Sequence, residues 1–357
     1  MFFALLAALL LPTLACGASE ALAGGAPGTS LAGGAPGPTA LRVYSDGSGD
    51  YSTITAALAS LTPAATGALT LYLRGRFRER VSLPAAFAYG VTLQGLADPA
   101  SGARALLAYN VSGSGGSSCS GSGGPGTFGS ATLENFAAGL TLADLDVAND
   151  ACDYNHKAAG QSVALMNHGD RMALFGVRLL GSQDTLYTGE AGGRAYFYDT
   201  FVNGTCDALF GSAAAVFEAC TIRMDFTVTA QRGDNASALL LLDSSIDALT
   251  ANGSVLLGRP WGPQARVVLK GNWLGGGVAR AGWDDWGHNC TAAPPPRAAT
   301  WCADVIFAEY NSSGPGADAH GRVWWSYQLD AAEAGAWSKE GVLRGWAPAP
   351  PPPPPPM

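Results

Sequence analysis

Residues 140–147 read LTLADLDV, and residues 173–179 echo them as ALFGVRL. Short apolar runs of the same kind recur at residues 69–73 and 91–93, between turns that contain Gly and Asn. Such runs predict short β-strands, and strands repeated in coils of about 20 to 25 residues without a strict consensus are typical of a parallel β-helix. A β-sandwich would produce a similar periodicity. The main helical candidate is residues 53–61, where apolar residues recur at helical spacing.

Polar side chains interrupt the apolar background at Gln161, in the run QDTLY of residues 183–187 and in the run GTCDALFG of residues 204–211. Burying carboxylates and amides is costly unless they have partners, so such groups indicate chemistry. One aspartate can attack an acyl carbon, a second can transfer a proton, and glutamine amides can donate hydrogen bonds to a developing oxyanion. These side chains are sufficient for ester hydrolysis. In the alternative interpretation, Asp184 and Asp207 cap turns and the glutamines form a side-chain ladder.

The order and spacing of many short motifs resemble the pectin methylesterase family over residues 41–346. The motifs are GSGDYSTI at 47–54, GRFRERV at 75–81, GTFGSAT at 126–132, QSVAL at 161–165, GDR at 169–171, LGRPWG at 257–262 and GWDDW at 282–286. The resemblance implies an all-β fold, a right-handed parallel β-helix with a short N-terminal helix and long loops that form a cleft. It also implies hydrolysis of the methyl esters of galacturonate units in pectin, which releases methanol and leaves demethylated pectate.

Positions about 22 residues apart stack on one face of such a scaffold, which would bring Gln161, the pair Gln183 and Asp184, and Asp207 together. The resemblance implies that Asp207 is the nucleophile and Asp184 the general acid and base, while both glutamines form the oxyanion hole. It also implies that Arg259 holds Asp207. Because two carboxylates in one site do not both ionise cheaply, the arginine would favour the anion of Asp207 and leave a proton on Asp184.

Sugar rings present apolar C–H faces, so substrate contacts are expected from aromatic side chains. The resemblance implies substrate-binding positions at Thr127, Phe128, Tyr187, Phe210, Trp261 and Trp283. The four histidines match no catalytic position and are interpreted as surface or structural residues: His156, His168, His288 and His320. We expect no cofactor, and the cysteine and histidine spacings do not fit a zinc site.

We divide the chain into a signal peptide (1–23), a flexible lead-in rich in Gly, Ala and Pro (24–40), a pectinesterase domain (41–346) and a proline-rich tail (347–357). The apolar run at residues 2–15 is too short to span a bilayer and is typical of a secretory signal. The tail favours an extended polyproline conformation, either as a solvated segment or as one that binds the wall or a partner. We therefore expect a secreted protein, extracellular or in the cell wall.

Six cysteines remain after the signal region, an even number that predicts disulfides in an oxidising compartment. We expect a bond between Cys290 and Cys302. The pairs Cys119 with Cys152 and Cys206 with Cys220 would complete the set, although other connectivities are open. Six sequons predict glycosylation in a eukaryotic secretory route, and we expect the one at Asn203 to stay empty because it lies near Asp207.

The formal net charge of −8 opposes retention on demethylated pectin at low ionic strength. The expected partner is pectin (homogalacturonan), and a proteinaceous pectinesterase inhibitor is a second possible partner. We expect a monomer that binds neither nucleic acid nor membrane. Two alternative functions are a different ester or thioester hydrolase on the same scaffold and a non-catalytic wall or matrix protein.

Overall fold

A computed structural model describes residues 36–114, 124–151, 160–233, 237–249, 253–288, 290 and 301–354. Within these residues the strands form three parallel sheets of 11, 8 and 7 strands, here named sheets A, B and C. The chain passes from sheet A to sheet B to sheet C and then returns to sheet A one coil further along. This is a parallel β-helix, and its parallel pairing excludes the antiparallel β-sandwich.

The strands are numbered in chain order. Sheet A contains β1 (Thr39–Tyr44), β2 (Leu69–Arg74), β5 (Val91–Leu96), β8 (Leu140–Ala143), β11 (Met172–Phe175), β14 (Arg194–Tyr198), β17 (Ala214–Glu218), β20 (Leu239–Leu242), β23 (Arg266–Lys270), β25 (Ile306–Tyr310) and β26 (Tyr327–Gln328). Sheet B contains β3 (Arg76–Arg78), β6 (Ala105–Tyr109), β9 (Leu145–Asn149), β12 (Arg178–Leu180), β15 (Phe201–Asn203), β18 (Thr221–Met224), β21 (Ser245–Ala248) and β24 (Trp273–Leu274). Sheet C contains β4 (Val81–Leu83), β7 (Leu133–Asn135), β10 (Leu165–Asn167), β13 (Leu186–Tyr187), β16 (Leu209–Gly211), β19 (Thr227–Gln231) and β22 (Leu256–Pro260).

The core is a ladder of apolar side chains stacked from coil to coil. On sheet A, Leu142 pairs with Leu174, Leu174 with Phe197, and Phe197 with Phe217. All four side chains are fully buried, and the rings of Phe197 and Phe217 stack with centroids 4.2 Å apart. Parallel pairing in register places like residues above one another, so the interior is continuous along the solenoid.

The echo between residues 140–147 and 173–179 arises from the corner between sheets A and B. Asp144 and Gly176 occupy this corner in successive coils with φ of 51° and 60°. In the next three coils the corner residues Asp199, Ala219 and Asp243 also have positive φ. A single left-handed residue turns the chain sharply there, and Gly and Asp tolerate that conformation better than most residues.

Helices are few and short, namely α1 (Ile54–Ala59), α2 (Ala331–Gly335) and α3 (Lys339–Val342). The prediction of a helix at residues 53–61 is confirmed by α1, whose first N–H groups donate to Glu79 at 2.9 Å. Asp330 and Glu333 form a capping box on α2. Among the described residues, 3₁₀ turns lie at Pro63–Ala65, Phe128–Ser130, Trp301–Asp304 and Ala319–Gly321. In the described part of the chain, no helix is both long and apolar enough to cross a membrane.

The disulfide prediction is confirmed for Cys290 and Cys302, which are joined. It is wrong for Cys206 and Cys220, which are free thiols. Strands β16 and β17 separate them, so Cys206 lies beside Arg259 at the start of sheet C while Cys220 is buried against Phe197 at the end of sheet A. A disulfide needs two cysteines whose Cβ atoms face each other at close range, whereas these two thiols lie at different corners of the coil against different partners. Cys119 and Cys152 lie outside the described residues.

Candidate active site

The corner between sheets B and C carries both aspartates that the sequence singled out. Asp184 and Asp207 have φ of 62° and 50°, and each lies two residues before a strand of sheet C. Their corners are held by backbone hydrogen bonds between neighbouring coils, from Thr205 N to Ser182 O at 3.0 Å and from Asp184 N to Cys206 O at 2.9 Å. The left-handed backbone is one that aspartate tolerates, and it places each carboxyl at the start of the outer face of sheet C.

The two glutamines lie side by side on successive coils, and Gln183 directly precedes Asp184. Gln161 and Gln183 form a parallel bridge, and Ser162 N donates to Gln183 O at 2.8 Å. With Asp184 and Asp207 they line one pocket of about 210 Å³ on the outer face of sheet C. The structure therefore brings together the four polar residues whose spacing predicted one site.

The Asp207 carboxylate is bound by Arg259 through two hydrogen bonds. Nε donates to Oδ1 at 2.9 Å and Nη2 donates to Oδ2 at 2.5 Å. Arg259 reaches Asp207 from β22 across Ala230 of β19, whose small side chain leaves room for the guanidinium. The carboxylate is almost fully buried, so this forked contact fixes both its orientation and its charge.

The two carboxyls differ in what surrounds them. Burial and then the charge of Asp207 raise the pKa of Asp184 to about 7, against weaker opposition from a hydrogen bond with Thr127 and from Arg259. Thr127 Oγ1 lies 3.3 Å from Asp184 Oδ2. Burial also raises the pKa of Asp207, but here the hydrogen bonds and charge of Arg259 oppose it. Near neutral pH the pocket therefore favours one anion, on Asp207, beside a carboxyl that can hold or release a proton.

The thiol of Cys206 lies next to Asp207 but is not a second nucleophile candidate. Cys206 Sγ lies 3.5 Å from Arg259 Nη2. Burial and then the charge of Asp207 raise the pKa of the Cys206 thiol to about 12. Since the thiolate is the reactive form of cysteine, this thiol is unreactive at neutral pH.

Aromatic side chains form the floor and walls of the pocket. Phe210 packs on Tyr187 with ring centroids 5.0 Å apart and on Trp261 at 6.1 Å. Phe128 lies over the Tyr187 edge at 5.3 Å and is 47% exposed, so its face is open to a ligand. Tyr187 is 4% exposed and is not among the residues that line the pocket, so the structure places it under Phe128 and Phe210 rather than in contact with a substrate.

Trp283 is not brought to the pocket. Its side chain is 2% exposed and packs in the main core on Phe307, with ring centroids 4.7 Å apart. The expectation of a substrate contact at Trp283 is corrected on this ground, because a ring buried in the core has no face left for a sugar. Trp286 lines the pocket instead, and the guanidinium of Arg259 lies 4.0 Å from its ring centroid. Both tryptophans belong to the motif GWDDW. The motif therefore predicted correctly that this segment lies at the pocket, but it did not indicate which of the two tryptophans lines it.

The histidines lie outside the pocket where they are described. His168 stacks on Phe136 at 4.6 Å and lies 3.3 Å from a carboxylate oxygen of Glu190, while His288 and His320 are exposed. His156 is outside the described residues. In the ranges that the structure covers, no group of three or more His, Cys, Asp and Glu side chains could hold a metal ion.

Comparison with known proteins identifies the family of this chain. The pectinesterase family model matches residues 40–345. The chain belongs to the pectinesterase family. A putative pectinesterase 11 from Arabidopsis thaliana is 31% identical over 320 residues, 87% of this chain and 81% of the relative. Pectinesterase 31 from the same plant is 31% identical over 303 residues, which cover 83% and 89% of the two chains.

Solved structures of the family share the fold. A pectin methylesterase from carrot superposes with a TM-score of 0.71 at 26% identity, covering 89% of this chain and 95% of its own. A pectin methylesterase from Aspergillus niger superposes with a TM-score of 0.69 at 24% identity, covering 89% and 96%. The fold is thus the right-handed parallel β-helix of the family, and the chain is an esterase.

Proposed function

We propose that this protein hydrolyses the methyl esters of galacturonate units in pectin, through a covalent intermediate on Asp207. The ester carbonyl would lie between Asp207 on one side and the amides of Gln161 and Gln183 on the other. Phe128, Trp261 and Trp286 would contact the sugar rings on either side of the reacting ester, above Phe210 and Tyr187. Thr127 acts at the rim, beside Asp184.

In the first half of the reaction, the Asp207 carboxylate attacks the ester carbon and the carbonyl oxygen becomes an oxyanion. The amide N–H groups of Gln161 and Gln183 donate hydrogen bonds to that oxyanion. Asp184 gives its proton to the methoxy oxygen as the carbon–oxygen bond breaks. Methanol leaves, and the galacturonyl group remains joined to Asp207 as an acid anhydride.

In the second half, the ionised Asp184 accepts a proton from water while the water oxygen attacks the galacturonyl carbon. The bond to Asp207 breaks, and its carboxylate returns to Arg259. The product is a free galacturonate carboxyl group. Asp184 is then protonated again, ready for the next ester.

The single observation that carries these roles is the contrast between the two carboxyls of one pocket. Asp207 has a forked partner in Arg259, whereas Asp184 has the hydroxyl of Thr127, the amide of Gln183 and a second carboxylate beside it. A nucleophile must be ionised and oriented, and an acid that later serves as a base works best with a pKa near the working pH. Asp184, with a pKa of about 7, meets the second condition near neutrality.

The test is methanol release from highly methylated pectin by the purified protein, with acid release measured in parallel on a pH-stat. One equivalent of acid should appear for each methanol. An acyl thioester supplied as a comparison substrate should be cleaved far more slowly. Absence of methanol with rapid thioester cleavage would assign a different hydrolase, and absence of both would favour a non-catalytic wall protein.

We infer further that the protein is secreted to the extracellular space or cell wall, with the mature chain beginning near residue 24. The disulfide between Cys290 and Cys302 supports this, because such bonds persist in oxidising compartments. Asn203 is buried in β15, which adds a physical reason for its sequon to stay empty. N-terminal sequencing and glycopeptide mapping of secreted protein test these inferences. A proteinaceous inhibitor remains a predicted partner.

A further inference from the structure

The proline tail lies along a groove on the outer face of sheet A, on a different face from the pocket. Residues 348 and 350–354 form one wall of a cavity of about 500 Å³. The opposite wall carries Gln94 within β5 and the last residues of β8, β11 and β14, namely Ala143, Phe175 and Tyr198, with Gly176 on the adjoining corner. We name this feature the tail groove. We propose that the tail groove is a binding site for a polyproline II segment and that residues 348–354 of the chain are its resident ligand.

The groove has the length of a short polyproline segment. Gln94 pairs with Ala143, Ala143 with Phe175, and Phe175 with Tyr198, so the four side chains form one row across β5, β8, β11 and β14. Three strand spacings of about 4.8 Å make this row roughly 14 Å long. Five prolines in a polyproline II helix, at about 3.1 Å per residue, span about 12 Å. Residues 350–354 are therefore about as long as the row of side chains.

The two more buried prolines of the tail lie one turn of that helix apart. Pro348 and Pro351 are half-buried, whereas Ala349, Pro350 and residues 352–354 are exposed. A spacing of three residues corresponds to one turn of polyproline II, so one edge of the segment faces the protein. Proline fixes φ and disfavours helical conformation in the residue before it, so a proline run is nearly preordered for binding.

The shape and chemistry of the groove suit proline rings. Phe175 and Tyr198 supply aromatic surface, while Ala143 and Gly176 leave gaps between the larger side chains. Aromatic-lined grooves are a common way of recognising polyproline II, since its ordering cost is low. The outer face of sheet A is apolar here, with Ala143, Ala173, Phe175 and Tyr196 in one buried cluster, so an uncovered groove would expose apolar surface.

The segment before the tail is anchored, which holds the prolines near the groove. Leu343 is fully buried, and Trp346 packs against the same cluster. Arg344 Nη2 donates to the carbonyl of Gly192, and the guanidinium of Arg194 lies 6.0 Å from the Trp346 ring. Because the tail is anchored close to the tail groove, its effective concentration there is high. The tail should therefore prevent an added peptide of the same sequence from binding to the groove.

The experiment uses a protein shortened after Ala347 and a fluorescein-labelled peptide with the sequence of residues 348–357. Fluorescence anisotropy should show saturable binding to the shortened protein and none to the full chain at the same concentrations. Tyr198→Ala in the shortened protein should weaken binding at least about fivefold, through loss of one aromatic contact. Trp273→Ala removes a ring of similar exposure on sheet B and should leave binding unchanged.

Three results would overturn the proposal, namely no binding to the shortened protein, equal binding to both proteins, or equal weakening by Tyr198→Ala and Trp273→Ala. Methanol release and thermal unfolding check that the shortened protein is folded. If it does not fold, a dye attached at the C-terminus of the full chain reports the same contact. Its anisotropy should fall in Tyr198→Ala but not in Trp273→Ala, and an equal value in all three proteins would again refute the site.

Discussion

Residues 183–187 and 206–210 occupy equivalent positions in successive coils, yet their aspartates have different surroundings. Leu186 pairs with Leu209 and Tyr187 with Phe210, so Asp184 and Asp207 lie one above the other with similar left-handed φ. The backbone of the β-helix thus places an aspartate carboxyl at the same position in two successive coils. The difference between the two lies in the side chains that other coils bring to them.

Arg259 arrives from two coils further along and binds Asp207, whereas Thr127 approaches Asp184 from a turn that precedes sheet C strand β7. Arg259 therefore binds one carboxyl directly, while the other has a hydroxyl and a like charge beside it and feels the cation only at a distance. The repeating backbone gives the two aspartates equivalent positions, and the side chains around them, which do not repeat from coil to coil, give their carboxyls different pKa values. The predictions below test that distinction, in order of expected effect.

Asp207→Asn should have the largest effect, a loss of methanol release of about 10⁴-fold or more, because an amide is a poor nucleophile. Binding of pectin should persist. The matched control is Asp243→Asn, the same substitution at a left-handed corner residue with φ of 46° and an exposed side chain. Methanol release near the wild-type rate from folded Asp207→Asn protein would refute the proposed mechanism.

Asp184→Asn should lower methanol release by roughly 10²- to 10⁴-fold, because it removes the proton transfer but leaves the nucleophile. The residual activity should also lose the pH dependence that a pKa of about 7 at Asp184 gives to the wild type. Rate profiles from pH 5 to 9 check this. An unchanged profile in the variant would mean that another group carries the proton.

Arg259→Lys should lower methanol release by about 10- to 100-fold, since an ammonium keeps the charge but lacks the fork that holds both carboxylate oxygens. The loss should appear mainly in kcat, because Arg259 orients Asp207 rather than the distant parts of the polysaccharide. Steady-state kinetics on pectin of fixed methylation separate the two constants. A change confined to KM would assign Arg259 to substrate binding instead.

The smallest effect concerns stability. The folded pKa of Asp184 is raised to about 7, so the folded protein holds a proton that the unfolded chain releases near pH 4. Stability from this group is fully present below pH 4 and is lost as the pH rises to 7. Asp184→Asn keeps a neutral side chain at every pH, so its Tm should match that of the wild type near pH 4 and exceed it by a few degrees near pH 8. An equal difference at both pH values would contradict the raised pKa.

Much of the site was predictable because the signals are local. Gln161, Gln183, Asp184 and Asp207 interrupt apolar strands at a regular spacing, and in a parallel β-helix regular spacing becomes vertical stacking. Trp261 was predicted, but the presence of Trp286 in the pocket was not, because Trp283 and Trp286 share one motif and only the packing of Trp283 against Phe307 separates them. The free state of Cys206 and Cys220 was not predictable either. The even number of cysteines suggested that these two are bonded, but strands β16 and β17 place them at different corners of the coil.

The amino-acid sequence alone specified the repeated short strands, the four polar side chains of the site and the bond between Cys290 and Cys302, since strand periodicity and short loops are properties of neighbouring residues. The choice of a β-helix over a β-sandwich came from the order of the family motifs, because both folds produce this periodicity. Three-dimensional packing settled the rest. It set which carboxyl is bound by a cation, that burial raises the pKa of both carboxyls, which tryptophan of the motif GWDDW faces the pocket, and where the proline tail lies. These depend on contacts between residues far apart in the chain, whose distances the sequence does not contain.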